Sequence, residues 1–361
     1  MPYATYSMRT FETYGFTPKV SVKTPLLGLK NTFVAGFDYY KSPASSSDYS
    51  PGLWATDSTT KIDKTDYAFY ANNEISPVKN LLIGLGYRTQ KSFWDIDYKD
   101  NFGFIALVNG TVNNRKDAFR ASANYLFGKK GNAFITYAKG FRTPATDELF
   151  STFSVPPINR DLKTQTAKEV GAGVRYNITD WIGGSFTYFQ SKTDNEIYYN
   201  PLTFVNGNYD RTKREAVEVA VYLNLLKDLS LNFLYSYTDA KFDGGVFDGN
   251  TVPLVPKDKF SGKLTYIWNN LTTNVIITYV GNRYMISDQQ NQLSKLPGIT
   301  TLDVNFKYAL KGREALFGIK NLTEQKYSEY GVASYPFGQP PTGNYYPSPE
   351  RQFYLGVSYT Y

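Results

Sequence analysis

The side chains that most often do chemistry are missing from this chain. It has no cysteine and no histidine. That removes thiol nucleophiles, disulfides, the commonest metal ligand and every Ser-His arrangement. The carboxylates at Asp95, Asp97 and Asp100, and at Asp243 and Asp248, are oxygen ligands of the kind calcium takes. Their spacing lacks the bidentate Glu that ends a calcium loop, so they read as solvated loop charge, with no metal expected. What remains is contact chemistry. Arg283 and Tyr284 stand together, and Tyr330, Tyr335, Phe337, Tyr345 and Tyr346 crowd a single stretch. With Arg142, these residues suit capture of a large, partly anionic ligand. Aromatic rings give broad contact area at low entropy cost, and guanidinium pairs with anionic groups. No catalysis and no cofactor is expected.

The elements that must carry these residues are strands. Aromatics make up 17% of the 361 residues, with 32 Tyr and 25 Phe, well above soluble usage. No stretch of about 18 apolar residues exists, so no transmembrane helix is coded. The net charge of +7 is scattered, without the basic blocks of a nucleic-acid binder. The start, MPYATYSMRT, has neither the basic nor the apolar part of a signal peptide, so it is not expected to be the natural start of an exported protein.

Period-two alternation recurs in about fifteen segments: 10–24, 29–41, 61–76, 80–94, 115–127, 132–140, 164–177, 181–200, 209–225, 230–243, 258–268, 272–285, 299–309, 314–324 and 351–361. Short, Gly/Asn/Asp/Pro-rich links such as PLLG (25–28) and GKKG (128–131) alternate with long polar ones. The long links lie near 42–60, 95–114, 141–163, 201–208, 244–257, 286–298 and 325–350. In VEVAVYLNL, Val217, Val219, Val221, Leu223 and Leu225 form one row, and Glu218, Ala220, Tyr222 and Asn224 the other. Leu302, Val304, Phe306 and Tyr308 likewise oppose Asp303, Asn305 and Lys307. A Lys or Arg facing lipid at mid-bilayer costs about 2–4 kcal/mol, so the apolar rows face lipid. About ten residues at roughly 3.3 Å each, tilted near 40°, cross the apolar band of about 25 Å. The expected fold is an all-β, antiparallel transmembrane β-barrel. In the last stretch, RQFYLGVSYTY, the order of Gly356, Tyr359 and Tyr361 resembles the terminal signal that outer-membrane barrels show to the barrel assembly machinery.

Four elements then resemble one family, the TonB-dependent outer-membrane receptors. KGFRTPATDELF is similar to the family's G-F-R-A-P…E-L element, through Gly140, Phe141, Arg142, Pro144, Glu148 and Leu149. NRDLKTQTAKEVG resembles the N-P-x-L…E-x-G element at Asn159, Leu162, Glu169 and Gly171, with Arg160 in place of Pro. KNLTEQKY and YYPSPERQFYLGVSY resemble the last two elements, with Glu350 where Gly is usual. The resemblance implies a 22-stranded barrel closed by a plug. Strand parity makes residues 1–361 its later fifteen strands, without the plug. It implies active uptake of a scarce ligand, a ferric siderophore before cobalamin, haem or glycan, across the outer membrane of a Gram-negative cell. Outer-membrane lipid and, through the missing plug, the TonB complex are the implied partners. The alternatives are a passive diffusion porin of about sixteen strands and a surface barrel that transports nothing.

Overall fold

The computed structural model describes residues 6–49, 58–100, 108–150, 158–200, 205–336 and 338–360. Phe337 and Tyr361 lie outside them. The strands are β1 Tyr6–Phe11, β2 Tyr14–Phe16, β3 Lys19–Lys23, β4 Lys30–Tyr49, β5 Ser58–Ser76, β6 Leu81–Asp100, β7 Val108–Leu126 and β8 Gly131–Arg142. A one-turn helix, α1 Thr146–Leu149, precedes β9 Gln165–Asn177, β10 Ile182–Asp194, β11 Ile197–Asn200, β12 Val205–Asn208 and β13 Arg211–Leu226. Then come β14 Leu229–Phe242, β15 Asp258–Trp268, β16 Leu271–Val280, β17 Ile299–Leu310, β18 Arg313–Lys320, β19 Ser328–Ser334, β20 Thr342–Pro347 and β21 Gln352–Tyr359. Seventeen of these form one antiparallel sheet, while β11–β12 and β19–β20 are separate hairpins. Because β1, β2 and β3 all pair with successive lengths of β4, they count as one broken strand, which gives fifteen.

The described chain divides into two compact units. One comprises 1–123, 136–168 and 193–209; the other comprises 124–135, 169–192 and 210–361. In the first, β4, β5 and β6 pair over nearly twenty residues. In the second, β13 to β18 form a meander that ends on β21. Two-residue turns hold the short ends. Leu27 and Gly28 (φ 52° and 76°) and Lys311 and Gly312 (φ 48° and 76°) lie in the left-handed region, which matches the right-handed twist of the strands they join.

The alternation read from sequence is the alternation of the ladder. Val219 faces Tyr235 and Val221 faces Phe233 on one side, and Ala220 lies opposite Leu234 on the other. Phe233 packs on Phe260 at 5.9 Å between ring centroids, and Phe306 stacks on Phe317 at 6.3 Å. On the polar face, Thr265 donates to Asn274 at 2.7 Å and Asn274 to Asn305 at 2.9 Å. The aromatic face is exposed over much of its area: Phe69 is 60% exposed, Phe353 64% and Leu355 76%, so this sheet has no dry core between layers.

Several boundaries depart from the sequence reading. The ladder β4–β5–β6 runs through Tyr49, Ser58 and Asp100, well into segments expected as loops. The expected strand 181–200 is two pieces: Asn195, at φ 54°, breaks the backbone between β10 and β11. β16 and β18 stop at Val280 and Lys320 rather than at 285 and 324.

On the polar face, glycines sit under tyrosines of the paired strand. Gly15 lies opposite Tyr40, Gly36 opposite Tyr70 and Gly318 opposite Tyr354, and in each case the ring occupies the space a Cβ would need. A glycine weakens a strand, and a ring laid across it restores buried contact. Gly318→Val should therefore displace Tyr354 and cost about 1–3 kcal/mol in a denaturant refolding titration in detergent. Gly356→Val, with only Leu316 Cβ at 3.9 Å, should be close to neutral in the same assay. Equal losses would contradict the role of the Tyr354 cover.

Candidate ligand-binding loops

In the first unit, the segment after β8 folds back on the polar face of the sheet. Leu149, Ile158 and Leu162 bury against Ile62, Trp94, Ile96 and Tyr98 of β5 and β6. Arg142 Nη1 reaches both carboxylate oxygens of Glu148 at 2.9 Å, and Glu148 Oε2 also accepts the Ala145 N–H at 2.8 Å. Lys64 Nζ donates to Thr143 Oγ1 at 3.1 Å and stands 5.3 Å from the centre of the Trp94 ring. The Asn159 N–H closes onto Leu149 O at 2.8 Å, and Asn206 Nδ2 donates to Glu148 O at 3.0 Å. The motif residues Arg142, Glu148, Leu149, Asn159 and Leu162 are thus the parts that fold this loop. Arg142 spends its charge on Glu148. At 45% side-chain exposure for the Arg, the ion pair contributes at most about 1 kcal/mol, so the buried Leu149 holds the loop more firmly.

In the second unit, Arg283 is 5% exposed. Its Nη1 donates to Gly281 O at 3.3 Å, and its Nη2 to Glu329 O at 2.7 Å and Ser328 O at 3.4 Å. Burial pushes this guanidinium below its usual range, and the nearby Glu329 charge opposes the shift. Arg283 therefore ties the 286–298 segment to the base of the β19–β20 hairpin. Further out, the Ile286 N–H donates to Gly331 O at 2.9 Å and the Ala333 N–H to Ile286 O at 2.8 Å. The Tyr335 hydroxyl donates to Ser287 O at 2.8 Å, and burial raises its pKa. Asp288 is fully buried and accepts the N–H groups of Gln292 and Leu293. Tyr284 is half-buried, with Lys295 Nζ 4.8 Å from the centre of its ring.

The hairpin's two faces differ. Gly331 and Gly343 close on Met285, where their missing side chains leave room for it. On the opposite face, Tyr330 and Tyr346 pair edge to face at 5.3 Å and stand 39% and 55% exposed. Tyr345 is 55% exposed. Of the residues expected to contact a ligand, the structure sets Tyr330 on an open face beside Tyr346, while Tyr345, also exposed, lies opposite Gly331 on the other face. It gives Arg142, Arg283 and Tyr335 protein partners instead. Gly356 and Tyr359 lie on β21, where Arg313 stands 5.9 Å from the centre of the Tyr359 ring. Asp95 accepts from Thr111 at 2.7 Å and Asp243 faces Arg211 at 3.6 Å. Among the described residues, no group of three acidic side chains converges on a point.

The sequence reading missed a polar wall in the first unit. Arg88 meets Asp38 at 2.5 Å, Gln90 donates to Asp66 at 3.1 Å, and Ser92 donates to the same carboxylate. Arg88, Asp38, Tyr70 and Arg120 line a recess of about 450 Å³. The signal was present in the alternation, as charges at Asp38, Asp66 and Arg88 all on the polar row.

A family model described as "TonB dependent receptor-like, beta-barrel" matches residues 2–322, and the chain belongs to that family. The sheet is accordingly the wall of an outer-membrane transmembrane β-barrel. The hemoglobin and hemoglobin-haptoglobin-binding protein A of Haemophilus influenzae is 25% identical over 272 residues, which is 62% of this chain and 25% of that protein. The chain thus spans about a quarter of that relative's length. Among solved structures, the ferric yersiniabactin uptake receptor FyuA of Yersinia pestis superposes with a TM-score of 0.78 at 17% identity, covering 98% of this chain and 55% of that one. The copper transporter OprC gives 0.81 at 16% identity, covering 100% and 58%.

Arg283→Ala removes the donor to Gly281, Ser328 and Glu329, and each buried carbonyl left unpaired costs about 1–3 kcal/mol. Hydrogen exchange should rise sharply across 283–298 and 328–347 while β14–β17 stay protected. Unchanged exchange in both segments would show that Arg283 does not hold them.

Proposed function

We propose that this chain is the ligand-capturing barrel wall of an outer-membrane active-transport receptor, with a ferric siderophore as its ligand class. The observation that carries this reading is the family match across residues 2–322, joined to a braced hairpin with Tyr330 and Tyr346 exposed on one face. Siderophore complexes are large, rigid and aromatic or anionic, so rings presented on a braced hairpin suit them. Transport would be energised by TonB through a plug domain, and the reading is of transport rather than catalysis. Gly356, Tyr359 and Tyr361 serve as the signal to the barrel assembly machinery.

A second reading takes haem or haemoglobin as the ligand, and it is favoured by what the Haemophilus influenzae relative is named for. Against it, the chain carries no histidine to ligate haem iron. A passive porin would need opposed charges crowding one constricting loop, and the described loops carry no such array.

Tyrosine and tryptophan fluorescence of the refolded chain, titrated with ferric catecholate, ferric hydroxamate, haem and haemoglobin, separates these readings. A ferric siderophore should bind, and Tyr330→Ala with Tyr346→Ala should weaken it about tenfold or more, equivalent to about 1.4 kcal/mol. Binding of haemoglobin alone would replace the siderophore reading with the second one. Free passage of small sugars through liposomes carrying the chain, with no ligand bound, would favour the porin.

A further inference from the structure

The short turns carry a recess of their own, at the opposite end of the strands from the long loops. In the second unit, the turns after β7 and β9 and the end of β13 enclose about 610 Å³. The lining includes Lys129, Lys130, Asn177, Trp181, Tyr222 and Asn224. That volume lies within the range of about 300–1,000 Å³ usual for small-molecule sites.

Each turn is fixed by local hydrogen bonds. The Phe127 N–H donates to Gly131 O at 2.8 Å and the Lys130 N–H to Phe127 O at 3.2 Å, with Gly128 at φ 60°. Thr179 Oγ1 accepts the N–H groups of Trp181 and Ile182 at 3.3 and 3.1 Å, and Ile182 O accepts those of Ile178 and Thr179. The turns are also joined sideways. The Asn177 N–H donates to Lys130 O and the Asn224 N–H to Trp181 O, both at 2.7 Å. With these main-chain groups already used, an extended peptide added as a strand would find few partners here.

What the recess offers is side chains. Trp181 is 53% exposed. Counted back along β10 it shares a row with Gly183, opposite the aromatic row of Phe186 and Tyr188, so it stands on the polar side of the strand. The Tyr222 ring lies over Gly183, in the space a Cβ would need. Asn177 and Asn224 are exposed, and each amide both donates and accepts. Lys129 and Lys130 are exposed too, and among the described residues neither ammonium has a hydrogen bond or ion pair. They outnumber the one carboxylate of the lining, Asp180.

An open indole, two amides and two free ammonium groups suit a sugar that carries carboxylates. The C–H-rich face of a pyranose lies on an aromatic ring, its hydroxyl and N-acetyl groups exchange hydrogen bonds with amides, and its carboxylates pair with lysine. In outer-membrane barrels the short turns face the periplasm. We propose that this recess binds an anionic glycan of N-acetylated sugars, the chemistry of the cell-wall polymer on that side of the membrane, and so tethers the barrel wall to it. The site is independent of whichever ligand the long loops take.

Co-sedimentation of the refolded chain in detergent with purified cell-wall sacculi, competed by soluble fragments, tests the assignment. The chain should sediment with the sacculi, and a disaccharide-peptide fragment of the wall should release it. The same fragment with its carboxyl groups amidated should compete about tenfold less well, and neutral diacetylchitobiose several-fold less well. Trp181→Ala, and Lys129→Gln with Lys130→Gln, should each weaken sedimentation about tenfold, while Lys129→Arg with Lys130→Arg should keep most of it. Undiminished sedimentation in the Ala and Gln variants would overturn the site. Equal competition by the wall peptide without its sugars would replace the glycan with an acidic peptide and overturn it too. Should the variants fail to refold, competition on the wild-type chain decides, and equal release by the native and amidated fragments would refute the proposal.

Discussion

Hydrocarbon offers no hydrogen bonds, and that one constraint organises this protein. Each peptide group in contact with lipid must find its partner within the protein, and a sheet whose strands pair on both sides does this without any help from side chains. Once the main chain is satisfied in this way, the side chains are free to divide by face. Val219, Val221 and Phe233 lie on the lipid side, while Thr265, Asn274 and Asn305 share hydrogen bonds on the other. The same division explains a mean hydropathy of −0.40 in a membrane protein, because the two rows cancel in any average along the chain.

Beyond the lipid boundary the constraint relaxes, and different forces shape the loops. There the polar face gains an apolar centre of its own, Trp94 and Tyr98 meeting Leu149 and Leu162. Arg142 and Arg283 act alike in the two units, each fixing the start of a long loop to a neighbour. Arg142 does so through a carboxylate, and Arg283 through main-chain carbonyls. Bracing of this kind lowers the entropy that the binding proposed for these loops would otherwise have to remove. Glu148 and Asn159, two of the residues that carry the family resemblance, belong to this bracing.

The strands were legible because a face wetted by lipid and a face wetted by water impose a period of two on side chains. The positions of β13, β15, β17 and β21 follow from it within a residue or two. Legibility fails where that contrast fails. Along PASSS the buried row of β4 is Ala44 and Ser46, too small to mark a face, so the pairing with β5 leaves no apolar trace. The β19–β20 hairpin escaped notice for a related reason. The row it turns to Met285 holds Gly331, Ala333 and Gly343, too small to read as apolar, while the other row holds Tyr330 and Tyr346. Arginine's role was hidden too, since carbonyl partners such as Glu329 O carry no residue-type signal. The aromatic crowding at 330–346 was visible, but which rings face outward depends on the register of Tyr330 with Tyr346.

The chain has no cysteine, so single cysteines can be placed along β13 and spin-labelled without background. With the protein in a phospholipid bilayer, power saturation of labels at successive positions from 217 to 224 reads contact with dissolved oxygen against contact with a water-soluble nickel chelate. The two should alternate, with oxygen dominating at 217, 219, 221 and 223 and the chelate at 218, 220, 222 and 224. A profile with no period of two, or one of opposite phase, would contradict a wall with lipid on its aromatic side.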